Sequence, residues 1–105
     1  MNYTQRLIQR EAELGRPIRV GVVGAGQMGS GLIAQIERAK GMEVAVVADI
    51  AVQRGVDAYT RAGRSDVQVE NDLGIVAEHI EARRPVVIND GLLIPKLPVD
   101  VVLEV

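Results

Sequence analysis

Apolar positions recur along this 105-residue chain in two alternating rhythms. The first is helical: Tyr3, Leu7, Ile8 and Leu14 return at steps close to a helical turn and predict a helix over residues 2–14. Gly15 stops it, and Pro17 prevents its continuation. The second rhythm is a continuous apolar run, Ile18–Val23, which reads as a strand bounded by Gly24. Helical spacing resumes from Gln27 to Lys40, with Met28, Leu32, Ile33 and Ile36 on one face, and Gly41 ends it. Glu43–Ala48 predicts a second strand closed by Asp49, and residues 52–62 a helix stopped by Gly63. Arg64–Asn71 is polar, has no period and reads as a loop. Asp72–Arg83 predicts a helix with Leu73, Val76, Ala77 and Ile80 on one face, Asn71 as its N-cap and Pro85 beyond its end. Val86–Ile88 is a short strand, Asn89-Asp90-Gly91 a turn, Leu92–Leu97 one helical turn, and Val99–Val105 a last apolar strand.

Strands alternating with helical segments predict an α/β domain with helices on both faces of a parallel sheet. Among the topologies compatible with right-handed crossovers, the commonest is the half-Rossmann order 3-2-1-4, counting the four predicted strands along the chain. Residues 1–16 form an N-terminal helical arm in this reading, solvated, in a stretch made locally basic by Arg6, Arg10, Arg16 and Arg19; residues 17–105 form the Rossmann-type, doubly wound domain. Because the pattern stops inside a strand, the domain is expected to be truncated at its C-terminal end, with the catalytic residues beyond residue 105.

Composition narrows the chemistry. Twelve Lys/Arg against fourteen Asp/Glu give a net charge of −2, which offers no footprint for a nucleic-acid backbone. Zero cysteines exclude disulfides, thiolate metal sites and a cysteine nucleophile, and the single His79 excludes any site that needs two histidines. No metal is expected. No apolar run approaches the roughly 18 residues of a membrane span, and the charged N-terminus lacks the apolar core of a secretory signal, so the expected compartment is the cytoplasm. With no Phe or Trp and only Tyr3 and Tyr59, the core is expected to be aliphatic and valine-rich, as buried parallel strands are.

One segment carries chemistry. Gly24-Ala25-Gly26-Gln27-Met28-Gly29 supplies G-x-G-x-x-G directly after a strand and directly before a helix. Gly24 permits the sharp turn, Gly26 leaves room for a pyrophosphate, and Gly29 lets the helix pack closely on the strand it has just left. The helix's first N–H groups then meet the phosphates at the positive end of its dipole. Gln27 and Met28 would contribute through their backbone. Asp49 lies 20 residues beyond Gly29, where a carboxylate accepts the adenosine ribose hydroxyls and disfavours a 2′-phosphate. That favours NAD over NADP, tempered by Arg54 five residues on, for which a solvent-facing helix position is the simpler reading. Neither the acidic first strand usual in S-adenosylmethionine enzymes nor the glutamate usual in FAD-binding folds is present, and no Walker lysine follows the glycines.

The glycine segment, the lead-in Arg16-Pro17-Ile18-Arg19-Val20-Gly21 and the closing Val99-Asp100-Val101-Val102-Leu103-Glu104-Val105 resemble the homoserine-dehydrogenase-like NAD(P)-dependent oxidoreductases. They resemble in particular the group that carries a C-terminal SAF domain and includes 1-deoxy-D-xylulose 5-phosphate reductoisomerase-like enzymes. The resemblance implies NAD(P)H held by Gly24, Gly26, Gly29 and Asp49. It implies hydride transfer to or from a small carbonyl or hydroxy metabolite, with or without a phosphate, whose pocket lies in a downstream domain. Reductoisomerase-like members imply NADP, so both cofactors stay open, as does a homo-oligomer. Two other readings remain: an NAD(H)-sensing module without catalysis, and a Rossmann domain whose glycines serve packing alone. His79 reads as a surface histidine, Asn89-Asp90 as a turn or cap at the ligand-binding edge, Arg83-Arg84 as charges complementing a helix end, and Glu104 as a strand-end carboxylate near the nicotinamide.

Overall fold

Five parallel strands, hydrogen-bonded in the order β3-β4-β2-β1-β5, form the centre of a computed structural model that describes residues 2–105. They are β1 (Ile18–Val23), β2 (Met42–Ala48), β3 (Gln68–Val69), β4 (Val86–Ile88) and β5 (Val101–Glu104). Four helices accompany them: α1 (Tyr3–Leu14), α2 (Gln27–Arg38), α3 (Val52–Arg61) and α4 (Leu73–Glu81), with a 3-10 helix over Gly91–Lys96. The fold is the Rossmann-like, doubly wound α/β arrangement, and β4-β2-β1-β5 reproduces the order expected for the four predicted strands. The correction is β3. Arg64–Asn71 is not wholly loop, because Gln68 and Val69 pair with Val86 and Val87 and extend the sheet by one edge strand.

Each face of the sheet has its own core. Val20, Val22, Val44, Val47 and Val87 pack against Ile33 and Ile36 of α2 and Ala58 and Tyr59 of α3. On the other face Ala45, Val46, Ala48, Val86 and Ile88 pack against Val76 and Ile80 of α4 and Ile94 and Leu97 around the 3-10 helix. Strict alternation would put Val44 and Val46 on the same side, but they lie on opposite ones. The register with β1 steps from Val20↔Val44 to Gly21↔Val46, and this irregularity turns Ala45 and Val46 to one face. Gly21, opposite Val46, then leaves the room that Ile94 fills: a Cβ there would lie 2.8 Å from Ile94 Cγ2. The core departs from the aliphatic expectation at one point. Tyr59 is fully buried, and its hydroxyl donates to the Val44 carbonyl at 3.0 Å. Burial pushes its phenol pKa up, so it stays a neutral donor.

The N-terminal arm forms its helix through local chemistry more than packing. Asn2 and Gln5 make a reciprocal capping box, Gly15 closes the far end in the left-handed region, and only Leu7 of the predicted apolar stripe is buried. Tyr3, Ile8 and Leu14 are exposed. Strand β5 also differs from expectation. It pairs with β1 alone, and Val101 and Val102 are exposed on an open edge.

Candidate functional site

Parallel strands bring their carboxyl ends to one edge, and the turns that follow β1, β2 and β4 enclose a cleft of about 590 Å³ there. Val23 and Gly24 line it from β1, Ala48, Asp49 and Ile50 from β2, and Asn89 to Leu92 from the turn after β4. The floor is small and aliphatic. Ile50 and Leu92, both almost fully exposed, flank the cleft from opposite turns.

The glycine turn has the geometry its spacing predicts, and its three glycines differ in what they avoid. Gly24 adopts φ +99°, a conformation that side chains resist, as the chain leaves β1. A Cβ at Gly29 would stand 2.0 Å from the Gly24 carbonyl oxygen, so tight helix–strand packing requires that glycine. A Cβ at Gly26 would meet nothing within 4 Å. Gly26, Gln27 and Met28 are exposed, whereas Ala25 and Gly29 are buried. Of this turn only Gly24 lines the cleft, and Met28 lines a separate groove with Leu32 and Val105. Gly26 is the N-cap of α2 and offers no side-chain acceptor; the Ser30 N–H donates to the Gly26 carbonyl, leaving the amides of Gln27 and Met28 ahead of that bond without a side-chain cap.

Asp49 is more occupied than sequence spacing conveys. Its Oδ2 accepts from the Ala25 N–H and its Oδ1 from the Ala51 N–H, each at 2.8 Å. The Ala25 amide is therefore committed within the protein, and only the amides beyond it remain for a ligand. Each Asp49 oxygen keeps acceptor capacity, since a carboxylate offers about four lone-pair sites.

The other candidates distribute as follows. Arg54 does not merely face solvent on α3: it is exposed on the cleft lining and makes no ion pair among the described residues. Glu104 lines the same cleft from β5. Asp90 caps the 3-10 helix by accepting from the Leu92 N–H at 2.9 Å. Asn71 is not the cap of α4. Asp72 takes that place, accepting from the Ile75 N–H, while Asn71 Oδ1 accepts from the Asn89 N–H and ties two loops at the ligand edge. His79 is half-buried, with Nδ1 accepting from Arg84 Nε at 2.9 Å. The Arg83-Arg84 pair does more than complement a helix end, since Arg83 forks onto Glu43 through Nε and Nη2. Ile50 and Leu92 went unmarked in the sequence because isolated apolar residues in turns carry no period.

Among the described residues, no three His, Asp or Glu side chains gather in a way that could hold a metal ion, and no helix is long and apolar enough to cross a membrane. Comparison of the chain with models of protein families and with curated proteins found no match.

Proposed function

We propose that this domain binds a nicotinamide dinucleotide at the carboxyl edge of the sheet and serves as the cofactor-holding part of an NAD(P)-dependent oxidoreductase. The observation that carries the reading is the contrast between Gly29 and Gly26. Packing accounts for Gly29, where a Cβ would strike backbone. Packing does not account for Gly26: its φ of −69° suits any residue, a Cβ would enter open space, and at the N-cap glycine is only one of several favourable residues. A ligand diphosphate lying against the uncapped start of α2 supplies the missing reason, because it must approach the main chain closely.

In this reading the adenosine half enters the cleft between Ile50 and Leu92, and the remaining lone pairs of Asp49 accept the ribose hydroxyls. The amides of Gln27 and Met28 hold the diphosphate. The bound nicotinamide supplies a hydride donor or acceptor. The chain's own residues bind and orient it. Hydride would pass to or from a small carbonyl or hydroxy metabolite, the class that the homoserine-dehydrogenase-like resemblance implies.

Calorimetric titration with NADH and with NADPH, separately, tests the proposal. Binding of either supports it, and silence with both overturns it. The Asp49 carboxylate favours NADH; tighter binding of NADPH would mean that Arg54 outweighs it.

A further inference from the structure

We infer that Asp49 is a positioning residue whose carboxylate braces the glycine turn, so the group that would read the ribose also holds the diphosphate seat in shape. The brace stands on hydrogen bonds within the protein; its effect on a ligand rests on the dinucleotide reading above.

Ala25 sits between the two glycines that frame the seat, and it is held from both sides. Its N–H donates to Asp49 Oδ2 at 2.8 Å, and its carbonyl accepts from Ser30 Oγ at 3.3 Å. Ala25 is only 4% exposed, so its amide has little access to replacement water if the carboxylate leaves. A buried amide without an acceptor is costly, and the turn would shift to find one. The second oxygen of Asp49 fixes the Ala51 amide, at the N-cap of α3. Asp49 itself is anchored through its N–H to the Ile88 carbonyl at 3.0 Å, and the neighbouring Gly24 N–H donates to the Ala48 carbonyl at 2.8 Å. One side chain thus joins the turns after β1 and β2 to a main chain already fixed to β4.

This arrangement has a consequence for cofactor choice. Swinging the carboxylate aside to admit a 2′-phosphate would give up both charge-assisted bonds. Removing it would lower the charge barrier and loosen the diphosphate seat together. Substitution at position 49 is therefore not a simple switch between cofactors.

The test separates reading the ribose from bracing the turn. Affinities of wild type, Asp49→Ala and Asp49→Asn are measured for NADH and for its 2′,3′-dideoxyadenosine analogue, which lacks the hydroxyls that Asp49 would contact. Bracing predicts that Asp49→Ala weakens both ligands, the dideoxy analogue by about tenfold or more. Asp49→Asn, which keeps one acceptor oxygen, falls between. Wild-type affinity of Asp49→Ala for the dideoxy analogue overturns the inference. Ligand-free amide exchange supplies a second readout: the Ala25 N–H should exchange at least about tenfold faster in Asp49→Ala, and an unchanged rate overturns the brace. If Asp49→Ala does not fold, Asp49→Asn carries both measurements, with the same direction of change expected. Failure of the wild type to bind NADH or NADPH would defeat the dinucleotide reading, while amide exchange still decides the brace.

Discussion

At the amino end of the sheet, charged side chains cross-link the elements that meet there; at the carboxyl end, main-chain groups and small residues shape the surface. Four of the five ion pairs among the described residues lie at the amino end: Arg16–Asp100, Arg19–Glu81, Arg64–Glu37 and Arg83–Glu43. Arg16–Asp100 joins the starts of β1 and β5, Arg64–Glu37 the ends of α3 and α2, and the other two tie the end of α4 to the starts of β1 and β2. At the carboxyl end, Asp49, Arg54, Asp90 and Glu104 line the cleft and make no ion pair among the described residues. Charges at the amino end therefore pair with one another, whereas at the cleft the carboxylates of Asp49 and Asp90 hold main-chain amides instead of cations.

Those ion pairs fix geometry more than they add stability. Exposed pairs contribute about 0–1 kcal/mol each, and burial of a charge can cost more than its partner returns. Glu37 illustrates the second case. Its side chain is 9% exposed, and burial raises its pKa despite the Arg64 guanidinium 2.6 Å away. Arg19, 5% exposed, has its terminal nitrogens on Glu81, while its buried Nε has no partner among the described residues.

Two glycine substitutions put the sharpest strain on the contrast between the ends. Gly29→Val drives side-chain atoms into the Gly24 carbonyl, which stands 2.0 Å from the Cβ position. A loss of about 3 kcal/mol or more is expected from this overpacking against rigid backbone. Urea denaturation measures it, and a stable Gly29→Val would mean that α2 can slide away from β1. Gly26→Val meets open space and loses only about 1 kcal/mol, the cost of a poor N-cap residue. Its NADH binding should nevertheless fall below calorimetric detection. A folded Gly26→Val with wild-type affinity would show that the glycine turn is not the diphosphate seat.

How much of this was legible in the sequence depends on the range of the interaction. The strands β1 and β2 and the helix between them are written in valine runs and a three-to-four spacing, so their type and order could be read directly. Gly24, Gly29 and Asp49 also declared their positions, because turn, packing and strand end are local. Strand β3 could not be read: two residues, Gln68 and Val69, have no period, and only pairing with Val86 and Val87 makes them a strand. The cap of α4 falls on Asp72, one residue past Asn71: both are good acceptors, and contact with Asn89 decides between them. Most hidden were links between distant residues. Arg16 and Asp100 stand 84 positions apart, and Asp49 reaches 24 positions back to Ala25.

Acid titration probes the amino end and is the gentlest test. Asp100 accepts both terminal nitrogens of Arg16, at 2.7 and 3.1 Å, together with the Arg19 N–H at 2.7 Å. The Arg16 hydrogen bonds hold its carboxyl below the usual range, against a smaller opposing effect of burial. A depressed folded pKa stabilises the protein above the unfolded value, near 3.8, and that stability is lost as pH falls through the folded one. Glu37 has the opposite sign. Its raised pKa makes protonation stabilising, an effect complete below its unfolded value of 4.5 and lost as pH rises through the folded one. On acidification Glu37 therefore acts first and supports the fold, and Asp100 acts later and weakens it. Melting temperature should hold or rise slightly as pH falls towards 4.5, then drop below about 4. Asp100→Asn should start lower at neutral pH by about 1 kcal/mol, a figure kept small because the pair is partly solvated. Its acid decline should be shallower than that of the wild type. Equal slopes below pH 4 would place the acid-labile contact elsewhere and remove Asp100 from the set that closes this end of the sheet.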